Sequence, residues 1–188
     1  MNIPAIVAER GRVAGELVLV DDFLNHRVDP FIIDEIGRQI AEHFADLAPD
    51  LIVTAEASGI PPAMATARHM PIPVVYAKKY LGVGERNTFA REVVSPTKGV
   101  EYRVEVARRA LEPAGRTLIV DDFLSGGRTA EALGQIVEES GGEVCGFAFV
   151  IEKQFAGGRA LLENHGWDVW SVVEIAGIED GKPVIANL

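Results

Sequence analysis

Apolar positions along the chain fall into short blocks separated by polar turns, and the blocks alternate between two rhythms. Near-continuous apolar runs at 51–55, 73–77, 117–120, 144–151 and 169–173 predict buried strands. Between them the spacing turns helical. Phe31, Ile32, Ile36, Ile40 and Phe44 mark one stripe, and Ala130, Leu133, Ile136 and Val137 mark another. Asp29 stands where a cap is needed and Pro30 where a first-turn proline fits, so that helix starts there and ends near Pro49. Further helices are predicted over about 1–11, 60–69 and 159–165, and weaker strands at 17–20, 102–106 and 182–185, the last an edge strand. Strands alternating with helices predict an α/β fold, a parallel sheet flanked by helices with ligands at the carboxyl ends of its strands.

Two stretches break the alternation. Residues 80–100 hold Gly82, Gly84, Pro96 and Gly99 among mixed charges, without a sustained period, and predict a long loop of the kind that serves as a lid. The pentapeptide Val-Asp-Asp-Phe-Leu occurs at 20–24 and again at 120–124. Its flanks diverge at once, which points to two unrelated strand-to-helix turns rather than a duplication.

Composition narrows the function classes. The 188 residues suit one well-cored domain. A net charge of −10 argues against a nucleic-acid-binding surface, without excluding a local phosphate pocket. Cys145 is the sole cysteine and sits in an apolar run, which leaves no disulfide or zinc framework within the chain. His26, His43, His69 and His165 show no metal-ligand spacing. The first residues do not read as a signal peptide and no run reaches membrane-spanning length, so a cytoplasmic protein is expected, with no membrane partner.

The chemistry concentrates in 116–130, RTLIVDDFLSGGRTA. An apolar strand runs into Asp121 and Asp122, then into the small loop Ser125, Gly126, Gly127, Arg128 and Thr129, and a helix follows. Backbone N–H groups of such a loop suit an anion, and paired carboxylates suit ribose hydroxyls or a hydrated Mg2+. A second small-residue turn, Glu56, Ala57, Ser58 and Gly59, follows the 51–55 strand. It reads equally well as an anion turn or as a plain strand–helix turn with Ser58 as its cap. Lys78 and Lys79 end the next strand, as surface cations or as partners for phosphate. Asn25 lies in a polar loop, where an amide serves either the turn itself or a purine edge. Lys153 follows the 144–151 strand, solvated or donating to a purine oxygen.

The central stretch resembles the phosphoribosyl-diphosphate (PRPP) motif of the type I phosphoribosyltransferases. VDDFLNHRVD at 20–29, AEASGIPPA at 55–63, AKK at 77–79 and VIEKQFAGG at 150–158 extend the resemblance to the xanthine-using members of the purine branch. That resemblance implies a single domain over 1–188, with a small hood built from about 1–29 and 153–188 and a flexible lid at about 80–100. It implies Mg-dependent purine salvage in a cytoplasmic homodimer: xanthine and PRPP giving XMP and pyrophosphate. Asp121 and Asp122 would carry the catalytic acids, and the magnesium would come with PRPP. Ser125, Gly126, Gly127, Arg128 and Thr129 would hold the 5′-phosphate. Glu56, Ala57, Ser58 and Gly59, in a turn that typically holds a non-proline cis peptide, would hold pyrophosphate with Lys78 and Lys79. Val18, Leu24, Asn25, Lys153 and Phe155 would hold the base. The Ser-Gly-Gly-Arg-Thr loop departs from the pattern, being closer to the adenine-type enzymes. The alternatives are a related adenine or guanine/hypoxanthine enzyme, or a non-catalytic PRPP-sensing regulator.

Overall fold

The computed structural model describes residues 1–15, 17–80, 87–94, 101–111 and 115–188. Eight strands form the main sheet. In chain order these are β3 (Leu51–Ala55), β4 (Val74–Tyr80), β5 (Thr88–Val94), β6 (Glu101–Ala107), β7 (Arg116–Leu124), β8 (Glu143–Lys153), β9 (Val169–Glu179) and β10 (Lys182–Ile185). Their spatial order is β10-β9-β8-β7-β3-β4-β6-β5. The five strands from β9 to β4 run parallel, while β10 and β6 join the two margins antiparallel, and β5 pairs antiparallel to β6. The sheet is therefore mixed around a parallel centre. A separate hairpin, β1 (Arg12–Ala14) and β2 (Leu17–Leu19), follows helix α1 (Ile3–Arg10), which Asn2 caps by accepting from the Ala5 amide at 2.9 Å. This N-terminal unit packs on β9 and β10.

Alternation along the central strands divides the core in two. On one face Ile52, Leu118, Val120, Ala148 and Val150 pack under α2 (Pro30–His43) and α3 (Ile60–His69). On the other, Val53, Ile119, Phe147 and Phe149 pack under α5 (Arg128–Glu139) and α6 (Gly158–Glu163). A short α4 (Arg108–Leu111) follows β6. The α2 helix begins where Asp29 and Pro30 predict: the Asp29 carboxylate accepts from the amides of Phe31 and Ile32. Its stripe is the spacing-of-four set Ile32, Ile36, Ile40 and Phe44, whereas Phe31 points to solvent at 76% exposure. Gly37 lets α2 and α3 touch, because a Cβ there would lie 2.3 Å from the Ala65 carbonyl carbon.

Three expectations change. Within 80–100, residues 88–94 are strand β5, and 81–86 and 95–100 lie outside the described residues. Phe89 and Val93 face inward, but Arg91 on the same face reaches Gln135 and Glu139 of α5. That arginine hides the alternation. The strand at 73–77 extends through both lysines to Tyr80 because β6 pairs with Lys78, Lys79 and Tyr80. The second Val-Asp-Asp-Phe-Leu copy is the end of strand β7 rather than the expected strand-to-helix turn, whereas the first is a turn over 21–24, and the reading against a duplication stands. Among the described residues no helix is long and apolar enough to cross a membrane.

Gly37→Ala is expected to lower stability by about 1–3 kcal/mol through overpacking at the α2–α3 crossing. Chemical denaturation of the purified variant measures it, and an unchanged midpoint would mean that the two helices separate freely.

Candidate active site

The chain reverses direction across the sheet between β3 and β7. From β3 it crosses through α3 to β4 on one side, and from β7 through α5 to β8 on the other. Such a switch point opens a crevice at the carboxyl ends of the two strands. A cleft of roughly 410 Å3 lies there, within the range of small-molecule sites.

Strand β7 carries Asp121 and Asp122 to the floor of this cleft, and both are buried. The Asp122 amide donates to the Asp121 carboxylate at 3.0 Å. Burial pushes the Asp121 carboxyl well above the usual carboxylate range, the neighbouring Asp122 charge adds to the rise, and Lys79 opposes it. From the polar loop after β2, the Asn25 amide donates to the Asp122 carboxylate at 3.4 Å. The two Val-Asp-Asp-Phe-Leu segments therefore meet through the residue that follows the first copy. In that first copy the acids face outward instead, Asp21 pairing with Arg12 and Asp22 with Arg10.

Beyond the acids the chain turns through Ser125, Gly126 and Gly127 into α5, and all three line the cleft with Arg128 and Thr129. Gly127 occupies the N-cap position at φ +76°, a conformation that glycine adopts without cost, and no side chain caps this helix. The first N–H groups of α5 thus lack intrahelical partners, as an anion-binding turn requires. Gly127 and Gly158 touch backbone to backbone: a Cβ at Gly158 would lie 2.2 Å from the Ser125 carbonyl oxygen.

The 56–59 turn sits beside the acids. The Glu56–Ala57 peptide is cis. The Glu56 side chain accepts from the Lys79 amide at 2.8 Å, tying the turn to β4. Gly59 lies against Asp121 so closely that a Cβ would come within 2.3 Å of its carboxylate.

Most expected site residues converge. Val18, Asn25, Lys79, Asp121, Asp122, Lys153 and residues 125–129 line one cleft. Seven do not join them: the four residues of the 56–59 turn, which sit beside the acids without lining the cleft, and three that lie elsewhere. Lys78 alternates with Lys79 along β4 and lines a different cavity with Tyr76, Tyr80 and Arg109. Leu24 is buried in the core with Val18, Val20 and Phe23, behind the cleft wall. Phe155 lies in a single 3-10 turn after β8, half exposed and outside the lining.

The structure also adds residues that the sequence reading passed over. Tyr102 lines the cleft, its hydroxyl 2.7 Å from that of Thr129 and its ring 6.0 Å from the Lys79 ammonium. Its signal was faint, a tyrosine two positions before Val104 in an alternating strand. Glu152 is 1% exposed and bound by Arg159 and Ser171, and a carboxylate ending an apolar run could have been read as needing a partner.

The family model described as phosphoribosyl transferase domain matches residues 20–178. The chain belongs to the phosphoribosyltransferase family. Among its relatives, the xanthine phosphoribosyltransferase of Chloroflexus aurantiacus is 42% identical over 180 residues, covering 95% of this chain and 85% of that protein. The enzyme of the same name from Clostridium novyi is 41% identical over 183 residues, covering 96% of each. Among solved structures, the adenine phosphoribosyltransferase of Rhodothermus marinus superposes with a TM-score of 0.75 at 25% identity, over 92% of this chain and 98% of that one. The Giardia lamblia enzyme, crystallised with 9-deazaadenine, gives a TM-score of 0.78 at 17% identity, over 94% and 99%, and speaks for the phosphoribosyltransferase fold alone.

Asp121 gives a pH signature. Its folded carboxyl titrates above its unfolded one, so the native state holds the proton more tightly and stability falls as pH rises above about 4. Asp121→Asn is expected to flatten that fall, to raise the melting temperature at alkaline pH and to abolish most turnover. Parallel melting curves across pH check it, and identical slopes for both proteins would remove Asp121 as the source.

Proposed function

We propose that the protein transfers the phosphoribosyl group of PRPP to xanthine, forming XMP and pyrophosphate in purine salvage. One observation carries the reading. Asn25 and Lys153, from near the two ends of the chain, line the same cleft as the paired acids and the 125–129 loop. In this reading a base reader and a phosphate cradle share one cavity. The choice of xanthine rests on the relatives at about 40% identity that carry that name. The adenine enzymes share the fold at lower identity.

In this reading the bond between the anomeric carbon and the diphosphate oxygen breaks as a base nitrogen bonds to that carbon and the base loses a proton. The passing state is oxocarbenium-like, so the protein's work is positioning and charge stabilisation. The 125–129 loop binds the 5′-phosphate through backbone donors and the Thr129 hydroxyl. Asp121 and Asp122 bind ribose hydroxyls and balance the positive charge that develops on the ring. Backbone groups at 56–59, together with Lys79, face the departing pyrophosphate. Asn25 reads the 2-oxo edge of the base, and Lys153, which donates and never accepts, favours an oxygen at position 6 over an amino group.

Among the described residues no cluster of three or more His, Cys, Asp or Glu could cage a metal. The adjacent carboxylates nevertheless fit a hydrated Mg2+ that arrives on PRPP, since a cation placed there favours the ionised form that burial and mutual repulsion disfavour. When bound, that ion neutralises diphosphate charge. The family resemblance also assigns to about 80–100 a lid that excludes water. A hood from about 1–29 and 153–188, a homodimeric state and a cytoplasmic location complete the proposal, each resting on the family resemblance.

Pyrophosphate release with PRPP and Mg2+ is to be measured with xanthine, guanine, hypoxanthine and adenine in parallel. Xanthine is expected to give the highest kcat/KM, and Lys153→Ala to shrink its lead over adenine by about tenfold or more. A higher rate with another base would void the assignment of xanthine and keep the reaction. Release with none would end the reading.

A further inference from the structure

Outside the cleft, one side-chain network lies between the strand that carries Lys153 and the helix set against the 125–127 turn. Glu152 immediately precedes Lys153, and its carboxylate accepts from Arg159 Nε at 2.8 Å, from Arg159 Nη2, and from the Ser171 hydroxyl at 2.8 Å. Arg159 gives its remaining terminal nitrogen to the Val169 carbonyl at 2.6 Å, and its guanidinium lies 3.6 Å from Glu174. Gln154 in turn donates to Glu174 at 2.8 Å. An ion pair of this kind, its carboxylate buried and its guanidinium partly open, adds little stability over an apolar replacement, and its best-attested use is to fix a geometry.

Two geometries depend on it here. On one side Lys153 leaves Glu152 for the part of the cleft assigned to the base. On the other, Arg159 follows Gly158, whose Cα carries the Ser125–Gly127 turn: a Cβ at Gly158 would lie 3.0 Å from the Gly127 nitrogen. One side-chain pair thus separates the residue at the base from the support of the phosphate loop by a single residue each way.

We infer that the Glu152–Arg159 pair is a positioning device that fixes the spacing between Lys153 and the 125–129 loop, so that a nucleotide spanning both gains over its separate halves. The inference rests on the base and phosphate assignments made above. The gain is entropic: with the spacing set beforehand, the nucleotide does not have to order the two halves itself. Neither residue lines the cleft, so neither is catalytic.

Calorimetric titration with XMP, xanthosine and ribose 5-phosphate tests this in the wild type, Arg159→Ala and Arg159→Lys. In Arg159→Ala the XMP affinity is expected to fall by about tenfold or more, with the affinities for ribose 5-phosphate and xanthosine each within about threefold of wild type. Added ethylguanidinium is expected to restore XMP binding, since Arg159 is partly open to solvent. In kinetics the KM values for xanthine and for PRPP, each held by one half of the cleft, stay within a few-fold while kcat, which needs the two halves in register, falls. Equal losses for XMP and for its halves, or XMP binding unchanged, would overturn the inference. So would recovery of the melting temperature by ethylguanidinium without recovery of XMP binding. Should Arg159→Ala fail to fold, Arg159→Lys and Ser171→Ala, which retain the buried charges, carry the same comparison with the same overturning results. The wild-type titration judges the parent reading separately. Preference for AMP or GMP moves the comparison to that nucleotide, and no binding of any nucleotide ends both.

Discussion

Two carboxylates, adjacent in sequence and buried at the end of one strand, set the terms for everything around them. Burial and mutual repulsion both disfavour ionisation, and Asp121 responds by holding its proton. A protein seeking only stability would place such a pair in water, as this chain does with Asp21 and Asp22. Keeping Asp121 and Asp122 dry requires a surrounding scaffold that does not yield. The parallel centre of the sheet supplies it, with β3 and β8 flanking β7 and a packed apolar layer on each face. The site is therefore strained electrostatically and supported mechanically. That combination suits a ligand bringing hydroxyl donors or a cation, because such groups compensate the ionised carboxylates that burial and mutual repulsion disfavour.

The close approaches in the crevice follow from this demand. Gly59 brings the 56–59 turn against Asp121, and Gly127 and Gly158 bring the loop and α6 into backbone contact. None of these contacts would survive a side chain unchanged. The glycines are thus steric permissions as much as turn formers, and they locate where segments distant in sequence must touch. Lys79 reaches the same cleft because pairing with β6 carries β4 past its apolar stretch.

The local parts of this architecture were legible. Asp29 and Pro30 announced α2, the apolar run announced β8, and the paired acids before a glycine turn announced the site, because each signal lies within a few residues of its consequence. What depended on long-range placement was not. The adjacent lysines at 78 and 79 read as one basic pair, yet a strand sends neighbours to opposite faces, and only its true length reveals that Lys78 leaves the cleft. Arg91 masked β5 because its partners, Gln135 and Glu139, lie on a helix some forty residues later. Phe155 looked suited to stacking on a base, but the 3-10 turn that carries it was invisible to periodicity. Tyr102 needed Thr129 opposite it to become noticeable.

The division between local and distant signals matches a division of chemical labour. The acids and the 125–129 loop come from one continuous stretch, so in the proposed reading the transfer chemistry travels with a single strand–loop–helix unit. The proposed base readers, Asn25 and Lys153, are by contrast brought together only by the folded sheet, and Asn25 donates to one of the paired acids. Base choice can therefore change without disturbing the phosphoribosyl machinery. A fold shared with adenine enzymes at 17–25% identity is what such separability allows. The hydrogen bond from Asn25 to Asp122 sets a limit on that freedom. With one N–H of its amide turned toward the acid, Asn25 keeps its carbonyl and its second N–H for a ligand. A substitution that removes the amide also takes this donor from Asp122, so a change of specificity at this position must supply that acid with another partner.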